Sequence, residues 1–212
     1  MINMHSYSMN GKEYPSVTTI IHILGNDRLM QWSNIMGFRR KRIDHILEES
    51  AEYGTYAHEI MRTIIDPNAP PVRPDIPPKH LLRLQSLKTK FLAFSRETNL
   101  IPKHTEFPMV SEKYRFGGTM DIFGSLQYQG TLYQDYILDF KTAKNVHSTM
   151  WLQMGGYYIL CKEYGMRPKG SAIIRLNDDM IRFDHIDQIE LKAYSKAFLD
   201  LRNFYEFWKD KK

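Results

Sequence analysis

Two residues that could carry chemistry interrupt a segment that otherwise predicts a buried β-strand. Asp139 and Lys141 stand within Ile137-Leu138-Asp139-Phe140-Lys141-Thr142, whose apolar residues point to both faces, as in a central strand. Because the two charged residues are two positions apart, their side chains leave the strand on the same face. A buried charge is costly unless it is paired or binds a metal ion. The segment therefore indicates either a surface-facing ion pair at the end of an edge strand or a chemical site.

A second aspartate changes the balance between these interpretations. Asp121 lies in the strand-like segment Gly117–Gly124, and Gln129-Gly130 is a turn signal between the two segments. Asp121 and Asp139 are equally far from Gly130. A tight hairpin would therefore bring their Cβ atoms to roughly 5 Å, and a loop one residue shorter or longer would need a bulge.

Two carboxylates at that distance share either a proton or a cation. A divalent metal ion with oxygen ligands satisfies both, and Lys141 beside it would orient or deprotonate a water molecule. The pattern predicts a hydrolytic site.

Four short motifs in this order resemble one known family. They are Gly54-Thr55-Tyr56-Ala57-His58 on a predicted helix, Gly118-x-x-Asp121, Asp139-x-Lys141 and Gln153-x-x-x-Tyr157. The set resembles the PD-(D/E)XK nuclease superfamily, in its RecB-type and phage exonuclease branch, and is similar to mitochondrial genome maintenance exonucleases. Each motif alone is weak, but the four together span residues 50–176 in the expected order and spacing.

The resemblance implies a fold and a set of roles. The fold would be α/β, with a restriction-endonuclease-like αβββαβ core, a mixed central sheet flanked by helices and an N-terminal helical extension. The cofactor would be Mg²⁺ or Mn²⁺. The implied ligands are His58, Asp121, Asp139 and the backbone carbonyl of Phe140, with Glu106 as a further acid. The alternative for Glu106 is an exposed strand residue or a partner of Lys141. Gln153 and Tyr157 would orient Lys141 or the DNA strand.

Two further segments are candidates for DNA contact. Ser16 and Thr18 open a predicted helix, where they would cap it or, as the resemblance implies, meet phosphate with the helix N-terminus. Arg39, Arg40, Lys41 and Arg42 form the densest positive run of the chain. Such a run is either a solvated helix face or a grip on the phosphate backbone.

The elements expected around these residues form one nuclease domain over residues 1–212. Residues 1–98 are expected to be mainly helical, 104–186 to hold the catalytic sheet and crossover helix, and 187–212 to form a C-terminal helix. The predicted helices are 28–49, in one or two pieces, 50–65, 79–98, 148–164 and 187–208. The predicted strands are 105–110, 114–126, 132–142, 171–176 and 180–186. On the helix at 79–98 the apolar residues, Leu82 among them, are expected in the core.

Composition limits the class of protein. Of 212 residues, 29 are Lys or Arg against 24 Asp or Glu, and this excess of +5 suits a polyanionic partner. Cys161 is the single cysteine, which excludes a disulfide framework, a thiolate zinc site and a four-cysteine iron–sulfur cluster. No glycine-rich loop joins a strand to a helix, so no nucleotide cofactor is expected. Without an apolar span or a signal-peptide pattern, we expect no membrane association and a place in the cytoplasm. The resemblance implies that this is the cytoplasm of a bacterial or phage-infected cell.

Three functions compete at this point. The first is a DNA exonuclease acting on ends or single strands in recombination, repair or phage DNA metabolism, alone or with a helicase, recombinase or single-strand-binding protein. The second is a structure-specific endonuclease of the same superfamily. The third is a catalytically inactive DNA-binding module, which the chemically competent residue at every motif position disfavours.

Overall fold

A five-stranded mixed sheet with helices on both faces positions the candidate residues. A computed structural model describes residues 6–25, 43–176 and 180–209. In chain order the strands and helices are β1 (Ser6–Met9), β2 (Lys12–Pro15), α1 (Val17–Ile21), α2 (Ile43–Ile65), α3 (Pro78–Glu97), β3 (Ile101–Ser111), β4 (Phe116–Tyr128), β5 (Thr131–Lys141), α4 (Ser148–Glu163), β6 (Gly170–Leu176), β7 (Ile181–Asp187) and α5 (Gln188–Lys209). A short 3₁₀ turn, His22–Leu24, follows α1.

The strands lie in the sheet in the order β3-β4-β5-β6-β7. All neighbours are antiparallel except β5 and β6, which are parallel because the crossover helix α4 connects them. β5 is thus the middle strand, and Ile137, Leu138 and Phe140 are buried on its two faces. The predicted central strand is confirmed, and the edge-strand alternative is wrong.

Two apolar cores lie on opposite faces of this sheet. One packs α1, α4 and α5 against the strands, and the other packs α2 and α3. The helices α4 and α5 approach closely at Gly155, where an added Cβ would lie 2.5 Å from the backbone of Tyr194. α4 is therefore held between α5 and the sheet, which fixes the side chains that it directs at β5.

The hairpin of β4 and β5 begins with a two-residue turn. Tyr128 pairs with Thr131, and the residues between them, Gln129 and Gly130, have φ angles of 49° and 80°. Positive φ at both positions is the geometry of a type I′ turn, whose twist matches that of the flanking strands. The predicted turn is confirmed.

A bulge then shifts the register of the hairpin by one residue. The extra residue lies on β5 at Asp135, whose φ is 58° and whose N–H donates to Ser125. Beyond it, Ile122 pairs with Leu138. This is the register in which Asp121 would follow opposite Asp139, so the bulge that the sequence required for a loop of this length is present.

A small hairpin precedes the sheet. β1 and β2 pair across a turn at Asn10 and Gly11, and the ring of Tyr7 lies over Gly117 of β4. The Tyr7 hydroxyl is 2.8 Å from the Thr119 hydroxyl. The hairpin is thereby fixed beside the strand that carries Asp121, and the N-terminal part contains strands as well as the expected helices.

Several element boundaries differ from the sequence predictions. β3 starts at Ile101 rather than residue 105, because an edge strand accommodates Pro102 next to a bulge. α2 starts at Ile43 rather than residue 50, and the helical prediction for residues 28–42 lies outside the described residues. Leu82 is 82% exposed, so its placement in the core was wrong: the buried stripe of α3 runs through Leu84 and Phe91 instead.

Within the described ranges, no helix combines the length and the apolar content that a membrane span requires.

Candidate metal centre and active site

The backbone pairing between β4 and β5 ends just before the two aspartates. Ile122 and Leu138 are the final pair, and beyond them the Asp121 carboxylate accepts a hydrogen bond of 2.8 Å from the Phe140 N–H. Met120 and Ile122 belong to cores on opposite faces although they are two residues apart. The strand therefore rotates at Asp121, which directs this carboxylate into the gap where the two strands separate.

His58, Glu106 and Asp121 meet in this gap from α2, β3 and β4. Each offers one ligand atom, and the three atoms lie within 4.8 Å of one another. His58 Nδ1 is 3.5 Å from Asp121 Oδ2. The imidazole packs edge-on against the buried ring of Phe140, with 5.9 Å between ring centroids. One imidazole and two carboxylates form a donor set that fits Mn²⁺ and, through the oxygens, Mg²⁺.

Glu106 reaches the cluster through an unusual backbone conformation. Its φ is 45°, in the left-handed region, and its neighbours in β3 pair with the neighbours of Asp121 in β4. Burial raises the pKa of Glu106, and the nearby charge of Asp121 raises it further. Two partly desolvated carboxylates repel each other, and a bound cation would remove that repulsion. Of the alternatives left by the sequence, the structure places Glu106 with the acids, while Lys141 pairs with Asp139.

Asp139 and Lys141 form a buried ion pair beside the cluster. Asp139 is 1% exposed, and its Oδ2 lies 2.5 Å from Lys141 Nζ. Both side chains leave β5 on one face, as their spacing predicts. Burial raises the pKa of Asp139 to about 6, although Lys141 opposes this rise. Burial alone would lower the pKa of Lys141, but the charges of Asp139 and Asp121 outweigh it and raise that pKa.

Gln153 and Tyr157 lie beneath Asp139 on α4. Gln153 Nε2 donates to Asp139 Oδ1 at 3.3 Å and to the Tyr157 hydroxyl at 2.8 Å. Both side chains are buried, and burial raises the pKa of Tyr157 well above its usual value, so the phenol stays neutral. One helical turn apart, they form a chain of hydrogen bonds that ends on the carboxylate. This burial favours the orienting role over direct contact with a DNA strand.

The absence of a side chain at Gly118 allows the ring of Tyr157 to pack against β4. A Cβ at Gly118 would lie 2.7 Å from Tyr157 Cε1 and 3.2 Å from a methyl group of Val17. The glycine of the G-x-x-D pattern is therefore needed because a ring from α4 and the helix α1 both pack on the backbone of β4.

The predicted site residues thus fall into groups. His58, Glu106 and Asp121 form the three-residue cluster, and Asp139 stands outside it, tied to Lys141 and Gln153. A metal-ligand role stays a prediction for the three cluster residues as it does for Asp139 and the Phe140 carbonyl.

Of the candidate DNA contacts, the structure describes Ser16 and Thr18 but not the basic run. Ser16 caps α1 by accepting a 2.9 Å hydrogen bond from the Thr19 N–H, and its hydroxyl contacts that of Thr18. The cap is confirmed, and contact with phosphate stays a prediction. Arg39, Arg40, Lys41 and Arg42 lie outside the described residues.

Arg62 is a neighbour of the site to which the sequence gave no role. It follows His58 by four residues on α2, so both side chains share one helical face. That spacing was the signal: once His58 is a ligand candidate, the residue one turn later belongs to the same site.

Comparison with known proteins adds little to this geometry. No family model and no curated protein matches the sequence. Among solved structures, the crystal structure of SSO0001 is similar at a TM-score of 0.27 and 14% identity, over 58% of this chain and 59% of the other. At that TM-score the likeness supports no inference about function.

Proposed function

We propose that this protein is a metal-dependent deoxyribonuclease of the PD-(D/E)XK type, and specifically an exonuclease of the RecB-like branch. The observation that supports this most is the meeting of His58, Glu106 and Asp121 beside the Asp139–Lys141 pair. The order of elements from α3 to β6, helix, three strands, helix, strand, agrees with the proposed core.

The donor set defines which cofactor would bind. Imidazole and carboxylate ligands favour Mn²⁺ or Mg²⁺ over a soft metal ion, and the single cysteine is buried away from the cluster, against Met120. A divalent cation at this position supplies a water molecule of lowered pKa and polarises a phosphoryl oxygen.

Lys141 would act as a cation rather than as a base. Its raised pKa keeps the side chain as an ammonium group, which stabilises negative charge that develops on a phosphoryl oxygen. Asp139 holds that ammonium group in place, Gln153 donates a hydrogen bond to Asp139, and the Tyr157 hydroxyl accepts one from Gln153. Of the two roles that the sequence left for Lys141, positioning and charge stabilisation fit better than deprotonation.

The substrate class follows from charge and chemistry. The chain carries a net charge of +5, and phosphate contacts supply most of the affinity for nucleic acid. A linear DNA strand that ends at the cluster is the substrate we propose.

The test is the cleavage of one single-stranded DNA in linear and circular form, with Mg²⁺, Mn²⁺ or EDTA. We expect metal-dependent loss of the linear form alone. Cutting of the circle would replace the exonuclease with the endonuclease alternative. Loss of neither form, nor of linear duplex, would leave the inactive DNA-binding module.

Two variants connect any cleavage to this site. We expect Asp121→Asn and Lys141→Ala to reduce cleavage at least a hundredfold with DNA binding retained, since Asp121 would hold the metal ion and Lys141 would stabilise the developing charge. Asp135→Asn, on the same strand as Lys141 but at the bulge, is the control. Full metal-dependent cleavage by either site variant would reject the mechanism.

A further inference from the structure

Arg62 follows His58 by one turn of α2, and the Nε of its guanidinium group is unsatisfied. This Nε is buried, and it has no hydrogen-bond partner among the residues that the structure describes. Nor does Arg62 form an ion pair with any carboxylate of those residues, whereas Arg73, which contacts the same helix, pairs with Glu59 at 2.7 Å. Buried polar groups are normally satisfied, so an orphaned donor beside a functional cluster calls for an explanation.

The charge of Arg62 is directed at the cluster. Arg62 shares a face of α2 with His58, and its positive charge counteracts the rise in the pKa of Glu106. A fixed cation beside a cation site weakens metal binding by Coulomb repulsion. If the site held only a metal ion, this arginine would be unfavourable there.

A phosphate group removes the conflict. It carries negative charge and two non-bridging oxygens, so one oxygen can face the metal position while the other accepts hydrogen bonds from a guanidinium group. The phosphate oxygen then supplies an acceptor for the donor that no described residue satisfies.

We propose that Arg62 binds a non-bridging oxygen of the phosphate group that occupies the His58–Glu106–Asp121 site, and is therefore a catalytic residue. This inference rests on the proposed function. During hydrolysis an oxygen–phosphorus bond forms from water, which loses a proton to solvent. The ester bond to the leaving sugar oxygen breaks, and that oxygen keeps the bonding pair and takes a proton from solvent. The charge that develops on the non-bridging oxygens in between is what Arg62 would stabilise.

The alternative is that Arg62 only supports the side chain of Glu106 within the cluster. The two roles predict opposite effects on metal binding. If Arg62 binds phosphate, its removal leaves the affinity for Mn²⁺ unchanged or makes it tighter, because a positive charge that repels the metal ion is lost. Removing a support for Glu106 makes Mn²⁺ binding weaker.

The experiment compares wild type with Arg62→Gln and Arg62→Lys. Arg96→Gln is the matched control, because Arg96 is exposed near the end of α3, beside the end of β4 far from Asp121. Mn²⁺ affinity is measured by electron paramagnetic resonance without DNA. Phosphate affinity is measured by the Mn²⁺-dependent broadening of the ³¹P signal of thymidine 5′-monophosphate. Cleavage of linear single-stranded DNA and thermal unfolding complete the set.

For Arg62→Gln we expect Mn²⁺ affinity equal to or tighter than wild type, phosphate affinity weaker by about tenfold to a hundredfold, and kcat lower by about a hundredfold or more. Arg62→Lys should recover part of the phosphate affinity, since it keeps the charge but not the planar fork. Arg96→Gln should match wild type.

Each failure has its own signature. Unchanged phosphate affinity in Arg62→Gln, or Mn²⁺ binding weakened with cleavage restored by more Mn²⁺, overturns the role of Arg62. A wild type that binds Mn²⁺ and the nucleotide but cleaves no DNA overturns the proposed function and leaves the phosphate site to be judged by the nucleotide measurement. A wild type that binds no Mn²⁺ overturns both.

Discussion

At the residue scale, Asp139 combines almost complete burial with a charged partner. Its carboxylate is almost completely removed from water, yet it has a lysine and a glutamine amide as partners. Burial nonetheless raises its pKa to about 6, so the partners compensate only part of the lost hydration. The folded state thus binds a proton at Asp139 more tightly than the unfolded state does.

This pKa predicts a specific pH dependence of stability in the metal-free protein. The folded-state value of about 6 exceeds the ordinary 3.8, so the folded state binds this proton more tightly. The stabilisation is complete below about pH 4 and is lost as the pH rises through 6, by roughly 3 kcal/mol at most. In urea unfolding with EDTA, we expect wild type to lose stability relative to Asp139→Asn over that range.

The comparison isolates one carboxylate, since Glu106, whose pKa is also raised, is present in both proteins. Asp135→Asn controls for the substitution itself on the same strand. A stability difference between wild type and Asp139→Asn that stays constant from pH 4 to pH 7 would show that Asp139 is not perturbed in this way.

At the scale of elements, the packing of α4 on β4 places the Tyr157 hydroxyl against Gln153, which in turn reaches Asp139. Gly118→Ala would place a methyl group 2.7 Å from the Tyr157 ring. We expect a loss of about 1–3 kcal/mol in the free energy of unfolding, together with reduced cleavage, because the ring must move away from Gln153.

Gly54→Ala is the matched control for that change. The nearest atom to its added Cβ is Thr142 Oγ1 at 3.6 Å, an ordinary contact, and Gly54 is inside helix α2. Alanine is favoured over glycine within a helix by about 0.5–1 kcal/mol, so this variant should be as stable as wild type or more so. Equal effects of the two substitutions in chemical denaturation would argue against the steric explanation.

The β4–β5 turn offers a second test at this scale. Gln129 has a φ of 49°, which costs a glutamine more than an asparagine, and Asn-Gly is the preferred pair for this turn. We expect Gln129→Asn to raise the free energy of unfolding by up to about 1 kcal/mol. Gly130→Ala, at a φ of 80°, should lower it by about 1 kcal/mol. A lower urea midpoint for Gln129→Asn would contradict the turn assignment.

At the scale of the whole molecule, the candidate metal centre joins α2 to the sheet. His58 comes from the helix, and Glu106 and Asp121 come from neighbouring strands. A ligand that binds only the folded arrangement stabilises it by mass action.

Metal ions should therefore stabilise the folded protein measurably. With Mn²⁺ at a hundred times its dissociation constant, the gain is about 2.7 kcal/mol, seen as a rise in Tm. Asp121→Asn should abolish the rise, and Asp135→Asn should keep it. If Asp121→Asn gains as much from Mn²⁺ as wild type does, the ion binds elsewhere.

Much of the arrangement was predictable because it depends on local patterns. Strand periodicity, the Gln129-Gly130 turn and the spacing of Asp139 and Lys141 determine which elements form and which faces their side chains share. A bulge was expected only if the loop differed by one residue from the hairpin centred on Gly130, and the two-residue turn meets that condition.

Relations between distant segments could be read only from the folded chain. The left-handed conformation of Glu106, the rotation of β4 at Asp121 and the approach of α2 to the sheet have no signature in local sequence, because each depends on packing against another element. The sequence therefore determined the candidate chemistry of each residue. In the folded protein, His58 and Glu106 lie next to Asp121, while Asp139 pairs with Lys141. These pairings depend on the packing of the core, because that packing determines which charged side chains are brought together.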